Sequence, residues 1–485
     1  MFSKPHSRSE RGQAIILVAM GLVGLIAMIG LSIDGGMMFI DSSRLKRSVD
    51  AAAVAAALQF REGYTAAQLR NAAEEFIALN DRDIYDVQVL TCDDVDQSDP
   101  SDPNADLCTT PPRKLVRVIG TKNVDFGFLP VIGIPGTSIT TDTVSEAASV
   151  DVVLVIDTSA SMAYETDSDP ALSIGDDPIA CNAAHTCQPL ENVKGAAEDF
   201  IRRLHFPYDR VSIVSFDRYI HTHSNPTAPY DAEQWITVST LPTNTYAQRL
   251  EDAAIAAING LTVYQPNQCV SVDPPNPPEG SCLEYIGGNF YDIRCMPYEY
   301  NGDITTCPSS NIGGALYTAG NTFAQNTALN PLREDSLWAV VLLAGGPANV
   351  TLPITGHPLG VCHQDYWGSK PFCRDDDSST RHASGDAYFD ADDYARDAAD
   401  FVTDPNNGQG AIIFAIGMGD KIRNDDIRNA GGEADIGEKL LTYAATGAGG
   451  TSDVGLYRHT VASSQTVLRE IFLEIADNIA TRLTH

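Results

Sequence analysis

Over its first sixty positions the chain passes from charged to apolar and back. Residues 14–33, AIILVAMGLVGLIAMIGLSI, run for twenty positions without a charge. At 1.5 Å per residue they match the roughly 30 Å hydrocarbon core of a bilayer. A cleaved signal peptide is the rival, but its small-residue site should follow directly. Here the AAAVAAA run begins only at Ala51, beyond Asp34, Asp41, Arg44, Lys46 and Arg47. The pattern predicts a transmembrane helix, helical character up to a stop at Gly63, and a second helix over 65–79 capped by Thr65. Strand-like runs near 86–90, 115–119 and 137–143 complete a small α+β unit.

From Ser149 the periodicity changes. Val152-Val-Leu-Val-Ile156 is a continuous apolar run that reads as a strand buried on both faces. A helix over 188–204 places Leu190, Val193, Ala197, Phe200, Ile201 and Leu204 on one face. Further strands are expected at 210–216, 337–343, 411–416 and 454–457. Helices are expected at 250–261, 312–324, 394–402, 437–445 and 464–483. Strands alternating with helices imply an α/β fold, a mostly parallel sheet covered on both faces.

The first of these strands ends in Asp157-Thr-Ser159-Ala-Ser161. Ligands of open α/β sheets bind at the carboxyl ends of the strands. One carboxylate and two hydroxyls within five residues suit a small, oxygen-seeking divalent cation, Mg²⁺ first, with Mn²⁺ and Ca²⁺ as alternatives. Asp and Ser are also ordinary turn residues, so the five residues alone are a weak signal.

Two resemblances sharpen this. Arg11-Gly-Gln-Ala14, Gly30-Leu-Ser-Ile-Asp34-Gly-Gly36 and Arg47-Ser-Val-Asp50 with the alanine run through Ala57 resemble the amino-terminal region of TadG-like proteins of the Tad/Flp pilus-assembly system. Pilin-like members cut by a prepilin peptidase carry Glu five residues after the cut; a cut after Gly12 would place Leu17 there, so the chain is expected to keep its anchor. The stretch 149–485 resembles a von Willebrand factor type A domain. Val153-Leu-Val-Ile-Asp157-Thr-Ser-Ala-Ser161, Asp209-Arg-Val-Ser-Ile-Val-Ser-Phe216, Asn311-Ile-Gly-Gly-Ala-Leu316 and Ile413-Phe-Ala-Ile-Gly-Met-Gly419 carry the likeness. It implies a Rossmann-like doubly wound sheet and a metal-ion-dependent adhesion site built from Asp157, Ser159, Ser161 and a hydroxyl at Ser310. The family's further aspartate falls on Gly345, so the implied site is degenerate, with Asp157 its one assured carboxylate. Ser310 has a plainer reading as the cap of the following helix.

A net charge of −32 excludes nucleic acid as a partner, because a phosphate backbone would be repelled. Ten cysteines at 92, 108, 181, 187, 269, 282, 295, 307, 362 and 373 fall in polar loops without the short spacing of a zinc site. They predict sequential disulfides: Cys92 with Cys108, Cys181 with Cys187, Cys269 with Cys282, Cys295 with Cys307, and Cys362 with Cys373. Disulfides belong to an oxidising compartment. The flanking positive charges are balanced across the span, so the cysteines set the orientation, with a cytoplasmic tail at 1–13 and the bulk of the chain extracellular or periplasmic.

The expected organisation is tail 1–13, membrane helix 14–33, a small pilin-like α+β unit 34–148, and an α/β domain 149–485. Long disulfide-bearing insertions are expected at about 167–189, 262–309 and 348–386. The acidic sets Asp375-Asp-Asp377 and Asp390-Ala-Asp-Asp393 read as a solvated face rather than Ca²⁺ loops, since neither has the twelve-residue EF-hand spacing. No Gly-x-Ser-x-Gly elbow or HExxH occurs, so an envelope hydrolase has no support. The favoured function is non-enzymatic: a membrane-anchored component of a Tad-like pilus or surface apparatus, holding a protein partner or a cell surface through a cation. The alternative is a purely structural assembly subunit whose metal site is unused.

Overall fold

The chain divides into two units, Met1–Ala147 and Ala148–His485. The computed structural model describes residues 11–60, 65–96, 99, 101–163, 178–223, 234–237, 246–264, 282–286, 289–293, 310–327, 330–352, 354, 380–386, 388–419, 421–424, 435–450, 455–460 and 465–482.

In the first unit, helix α1 (Arg11–Phe60) runs unbroken for 50 residues. Its character changes along its length. Side chains from Ile15 to Ile29 are exposed, whereas Leu45, Val49, Ala52, Ala56 and Phe60 form a buried stripe at helical spacing. That stripe packs on α2 (Ala66–Asn80) and on an antiparallel sheet of β1 (Ile84–Leu90), β2 (Lys114–Asp125) and β3 (Gly136–Ala147), in that order. Thr65 caps α2 as expected, with Gln68 closing a capping box. β2 and β3 are paired over all twelve residues, longer than the runs that propensity marks. Cys92 and Cys108 are joined in the β1–β2 connection.

The second unit is built on the six-stranded sheet β11-β10-β9-β4-β5-β6. Its strands are β4 (Val150–Asp157), β5 (Arg210–Phe216), β6 (Ile220–Thr222), β9 (Leu337–Ala344), β10 (Ile412–Met418) and β11 (Leu456–Thr460). All neighbours are parallel except β6, an antiparallel edge strand too short for periodicity to reveal. A separate hairpin, β7 (Cys282–Ile286) with β8 (Asn289–Ile293), lies within what reads in sequence as an insertion.

The helices are α3 (Pro178–Ala184), α4 (Leu190–Ile201), α5 (Tyr246–Asn259), α6 (Ile312–Phe323), α7 (Ala391–Thr403), α8 (Lys421–Asn424), α9 (Ile436–Thr446) and α10 (Gln465–Arg482). Alternate residues of the central strands face opposite layers. Val152, Leu154 and Ile156 meet α4, α5 and α10, while Val153 and Val155 meet α6, α7 and α9. This is the doubly wound, Rossmann-like architecture expected of a von Willebrand factor type A domain.

One sequence reading is corrected here. Cys181 and Cys187 are bonded to each other as expected, but they are buried in the α4-side core rather than in a polar loop. The expected pairings of Cys269, Cys282, Cys295, Cys307, Cys362 and Cys373 lie outside the described residues, as does Asp375-Asp-Asp377.

Candidate functional site

The strand order fixes where a ligand can sit. From β4 the chain winds one way to β5 and then returns across β4 to β9, so the order reverses between β4 and β9. The crevice of a doubly wound sheet opens at that reversal, beyond the carboxyl ends of the two strands. Asp157 is the last residue of β4, and Gly345 directly follows β9.

The Asp157 carboxylate is fully buried. Its Oδ1 accepts the N–H of Ser159 at 2.8 Å, an Asx turn that bends the chain out of the strand. Its Oδ2 accepts the N–H of Gly345, also at 2.8 Å. Gly345, where the resemblance leads one to expect an aspartate, thus supplies a backbone donor to Asp157. Burial lifts the Asp157 carboxyl to about 6; these hydrogen bonds oppose that shift, and the charge of Asp217 adds to it.

Ser159 is buried in the same turn, which closes through Met162 N–H to the Ser159 carbonyl. Ser161 lies in the short 3₁₀ segment Ala160–Ala163; its side chain is outside the described residues. Ser310 approaches from another loop, tied on two sides. Its N–H donates to Asn349 Oδ1 at 2.7 Å, while the N–H of the next residue, Asn311, reaches the Asp217 carbonyl. The capping explanation for Ser310 fails, because Asn311 is the N-cap of α6 and accepts from Gly314 N–H at 3.0 Å. The Ser310 hydroxyl is buried without a hydrogen-bond partner among the described residues. Such an oxygen costs stability unless a further group engages it.

Asp217, just beyond β5, had no motif to mark it. It is buried, and its carboxylate accepts Tyr219 N–H at 2.8 Å and lies 3.5 Å from His221 Nε2. That contact raises the His221 pKa. His223, bonded to Ser215 Oγ at 2.8 Å, is driven down to about 4 by burial and by His221. At the rim stands the half-exposed Tyr219, edge-on to Tyr264 with ring centroids 6.1 Å apart. Tyr264 N–H holds the Thr158 carbonyl at 2.7 Å. Asp157 is therefore not the only acid near the crevice.

The donor set fits a hard cation in part. Asp157, Ser159 and Ser310 are oxygen donors on two loops, and the Ser310 hydroxyl has no partner among the described residues. No group of three or more His, Cys, Asp or Glu side chains arranged for a metal occurs among the described residues. A cation here would lean on hydroxyls and water, with Asp157 carrying its charge.

The acidic set at 390–393 is not a solvated face. Asp390, Asp392 and Asp393 are all buried. Asp390 is the N-cap of α7, accepting from the N–H groups of Asp392 and Asp393 at 2.9 and 3.0 Å. Asp392 pairs with Arg396 at 2.6 Å, and Asp393 accepts from His382 N–H. An Asp ahead of an apolar-periodic run is the capping signal that marks this in sequence. Burial raises the Asp393 carboxyl to about 6. The folded state therefore keeps that proton to higher pH than the unfolded chain, and stability falls as pH rises from about 4 to about 6. Asp393→Asn is expected to remove this loss. In denaturant titrations its stability relative to wild type should be higher at pH 7 than at pH 4.5, by on the order of 1–2 kcal/mol.

Residues 12–59 match the family described as "Putative Flp pilus-assembly TadE/G-like". The match lies within α1, and the doubly wound α/β unit follows later in the same chain. No curated protein matches the sequence. Among solved structures, proximal thread matrix protein 1 from the mussel byssus, with a zinc-occupied MIDAS motif, is 10% identical; the match covers 68% of this chain and 48% of that one at a TM-score of 0.31. The chain thus spans about half the length of the mussel protein. The PilB minor pilin from Streptococcus sanguinis is 13% identical, with 76% of each chain covered and a TM-score of 0.35. The vWF domain of the type V pili tip protein Mfa5 from Porphyromonas gingivalis is 13% identical, covering 70% of this chain and 97% of that one at 0.33. At such TM-scores these likenesses carry no argument, and the architecture stands on the strand order itself.

Proposed function

We propose that the chain is a non-enzymatic, membrane-anchored component of a Tad/Flp-type pilus or surface apparatus. A membrane helix at 14–33 leaves a tail at 1–13 in the cytoplasm and carries a small unit, 34–148, and an α/β domain, 149–485, outside. The α/β domain holds a protein partner or a surface through a divalent cation, Mg²⁺ first, bound by Asp157, Ser159, Ser161 and Ser310. When bound, the cation supplies a positive centre that accepts a partner's carboxylate.

The observation that carries this reading is a buried, charge-strained Asp157 at the sheet's topological switch point together with a buried Ser310 hydroxyl that has no partner among the described residues. Perturbed acids gather at functional sites. For the anchor, the support is α1, a helix long and apolar enough to cross a membrane, which contains the TadE/G-like match. The two disulfides suit an oxidising compartment.

One observation favours a second reading, a structural subunit with an unused site. The Gly345 N–H already satisfies Asp157 Oδ2, so the turn holds together without a metal. Affinity capture from envelope extracts, with the detergent-solubilised full chain as bait in Mg²⁺ or in EDTA, separates the two. The adhesion reading expects a partner retained at least about tenfold better in Mg²⁺, a difference of about 1.4 kcal/mol. Retention indifferent to EDTA and to Asp157→Ala would establish the structural reading instead.

A further inference from the structure

The tip of the β2–β3 hairpin is apolar and uncovered. Phe126-Gly-Phe-Leu-Pro-Val-Ile-Gly-Ile-Pro135 contains no charge and six large apolar residues. Val131 is 89% exposed, Ile132 71%, Ile134 46% and Phe128 44%. In water such a patch is a liability, and contiguous exposed apolar surface marks an interaction site.

Its position identifies the occupant. The tip is clamped to α1 at the end of the uncharged span. Asp34 accepts the N–H groups of Gly127 at 2.7 Å, Phe128 at 3.0 Å and Leu129 at 2.7 Å. One turn earlier, Gly30 lies against Phe128 so closely that an added Cβ would come within 2.8 Å of the phenylalanine Cβ. Only glycine allows this approach, so tip and helix meet within the last turn of residues 14–33.

Asp34 is the single charged residue between Arg11 and Asp41. It is fully buried beneath the tip's backbone, while Leu31, Ile33, Met38, Phe39 and Ile40 around it are exposed. A carboxylate at a bilayer boundary is costly unless it is shielded and hydrogen-bonded. The tip does both. The exposed apolar surface of α1 consequently continues past Asp34 to Ile40, and the tip extends that surface sideways.

We propose that this tip is a membrane-interface element that inserts Phe128, Val131, Ile132 and Ile134 among the lipid headgroups and upper acyl chains beside α1. The small unit then touches the bilayer at two points, the helix and the tip, as amphipathic interfacial segments do. Two contacts fix its orientation on the membrane where a helix alone would let it swivel.

The inference rests on residues 14–33 crossing the bilayer, and the test keeps the two apart. Full-length chain is reconstituted in phosphatidylethanolamine–phosphatidylglycerol vesicles with brominated acyl chains, and tryptophan quenching is read as the increment over the native background. Leu25→Trp reports the span, Val131→Trp the tip, and Val144→Trp an exposed position on β3 remote from the tip. Val131 is open to solvent, so the substitution meets no packing. The expected result is Val131→Trp blue-shifted and quenched to at least about half the extent of Leu25→Trp, with Val144→Trp unquenched. Quenching of Val131→Trp no greater than that of Val144→Trp, with Leu25→Trp quenched, overturns the inference, leaves the anchor standing and makes the tip a protein-binding surface. Absence of quenching at Leu25→Trp overturns both.

Discussion

Asp157→Ala is expected to abolish divalent-cation binding in calorimetric titrations of the full chain with Mg²⁺, Mn²⁺ and Ca²⁺, while leaving it folded. The substitution leaves the N–H groups of Gly345 and Ser159 without an acceptor, a cost of about 1–3 kcal/mol each. It also removes a buried carboxylate whose pKa stands at about 6 rather than 3.8. At neutral pH that shift is worth about 3 kcal/mol against folding, since each unit is about 1.4 kcal/mol. The two effects oppose and nearly offset, so the change reads out in binding rather than in stability.

Asp157→Asn separates them, because its side-chain oxygen still accepts a backbone donor and no charge is buried. In EDTA at pH 7 it should be more stable than wild type by about 1–3 kcal/mol, with the advantage gone by pH 4, where the wild-type carboxyl is protonated. Wild-type cation binding should correspondingly weaken below about pH 6. Gly345→Asp restores a second carboxylate and should tighten binding about tenfold or more, since about 1.4 kcal/mol is a factor of ten and paired charges across a few ångströms supply at least that. Silence of both wild type and Gly345→Asp in every titration would reduce the Asp-x-Ser-x-Ser turn to an inherited bend.

The largest loss of stability is expected from Asp151→Ala, at the opposite end of β4. Asp151 is fully buried, and the Arg210 guanidinium grips it with both Nε, at 3.0 Å, and Nη2. Arg333 stands 3.6 Å away, and Arg210 also stacks over Trp235 at 4.4 Å. Both arginines are themselves buried. Truncating the acid strips both buried arginines of this carboxylate, which costs about 3–5 kcal/mol; replacing a whole buried pair by apolar groups is often neutral. Asp151→Ala should therefore shift the denaturation midpoint far more than Asp151→Ala combined with Arg210→Met. Equal shifts would show that the charges themselves contribute little and that the loss is one of packing.

Much of this protein is written in its sequence at the level of period and composition. The uncharged run at 14–33, the capping signal at Thr65 and the apolar run before Asp157 are local, and they became a helix, a helix cap and a buried strand. Alternation of strands and helices forces a parallel sheet with two covered faces, which by itself places Asp157 at the sheet's carboxyl edge.

What tertiary structure alone decided are contacts between residues far apart in the chain. The Gly345 N–H reaches Asp157 across 188 positions, and the Asp34 clamp on the hairpin tip spans more than 90. No window of sequence contains both partners. Asp217 carries no motif and matters only because β5 lies beside β4. Ser310 could be separated from a capping role only by finding Asn311 already in that role. The acids at 390–393 look like a solvated face when counted as charges, yet they are buried because a helix amino terminus offers donors that only a folded chain aims at them. Periodicity reports which face of an element is apolar; which oxygen is left without a partner depends on what the rest of the chain brings to it.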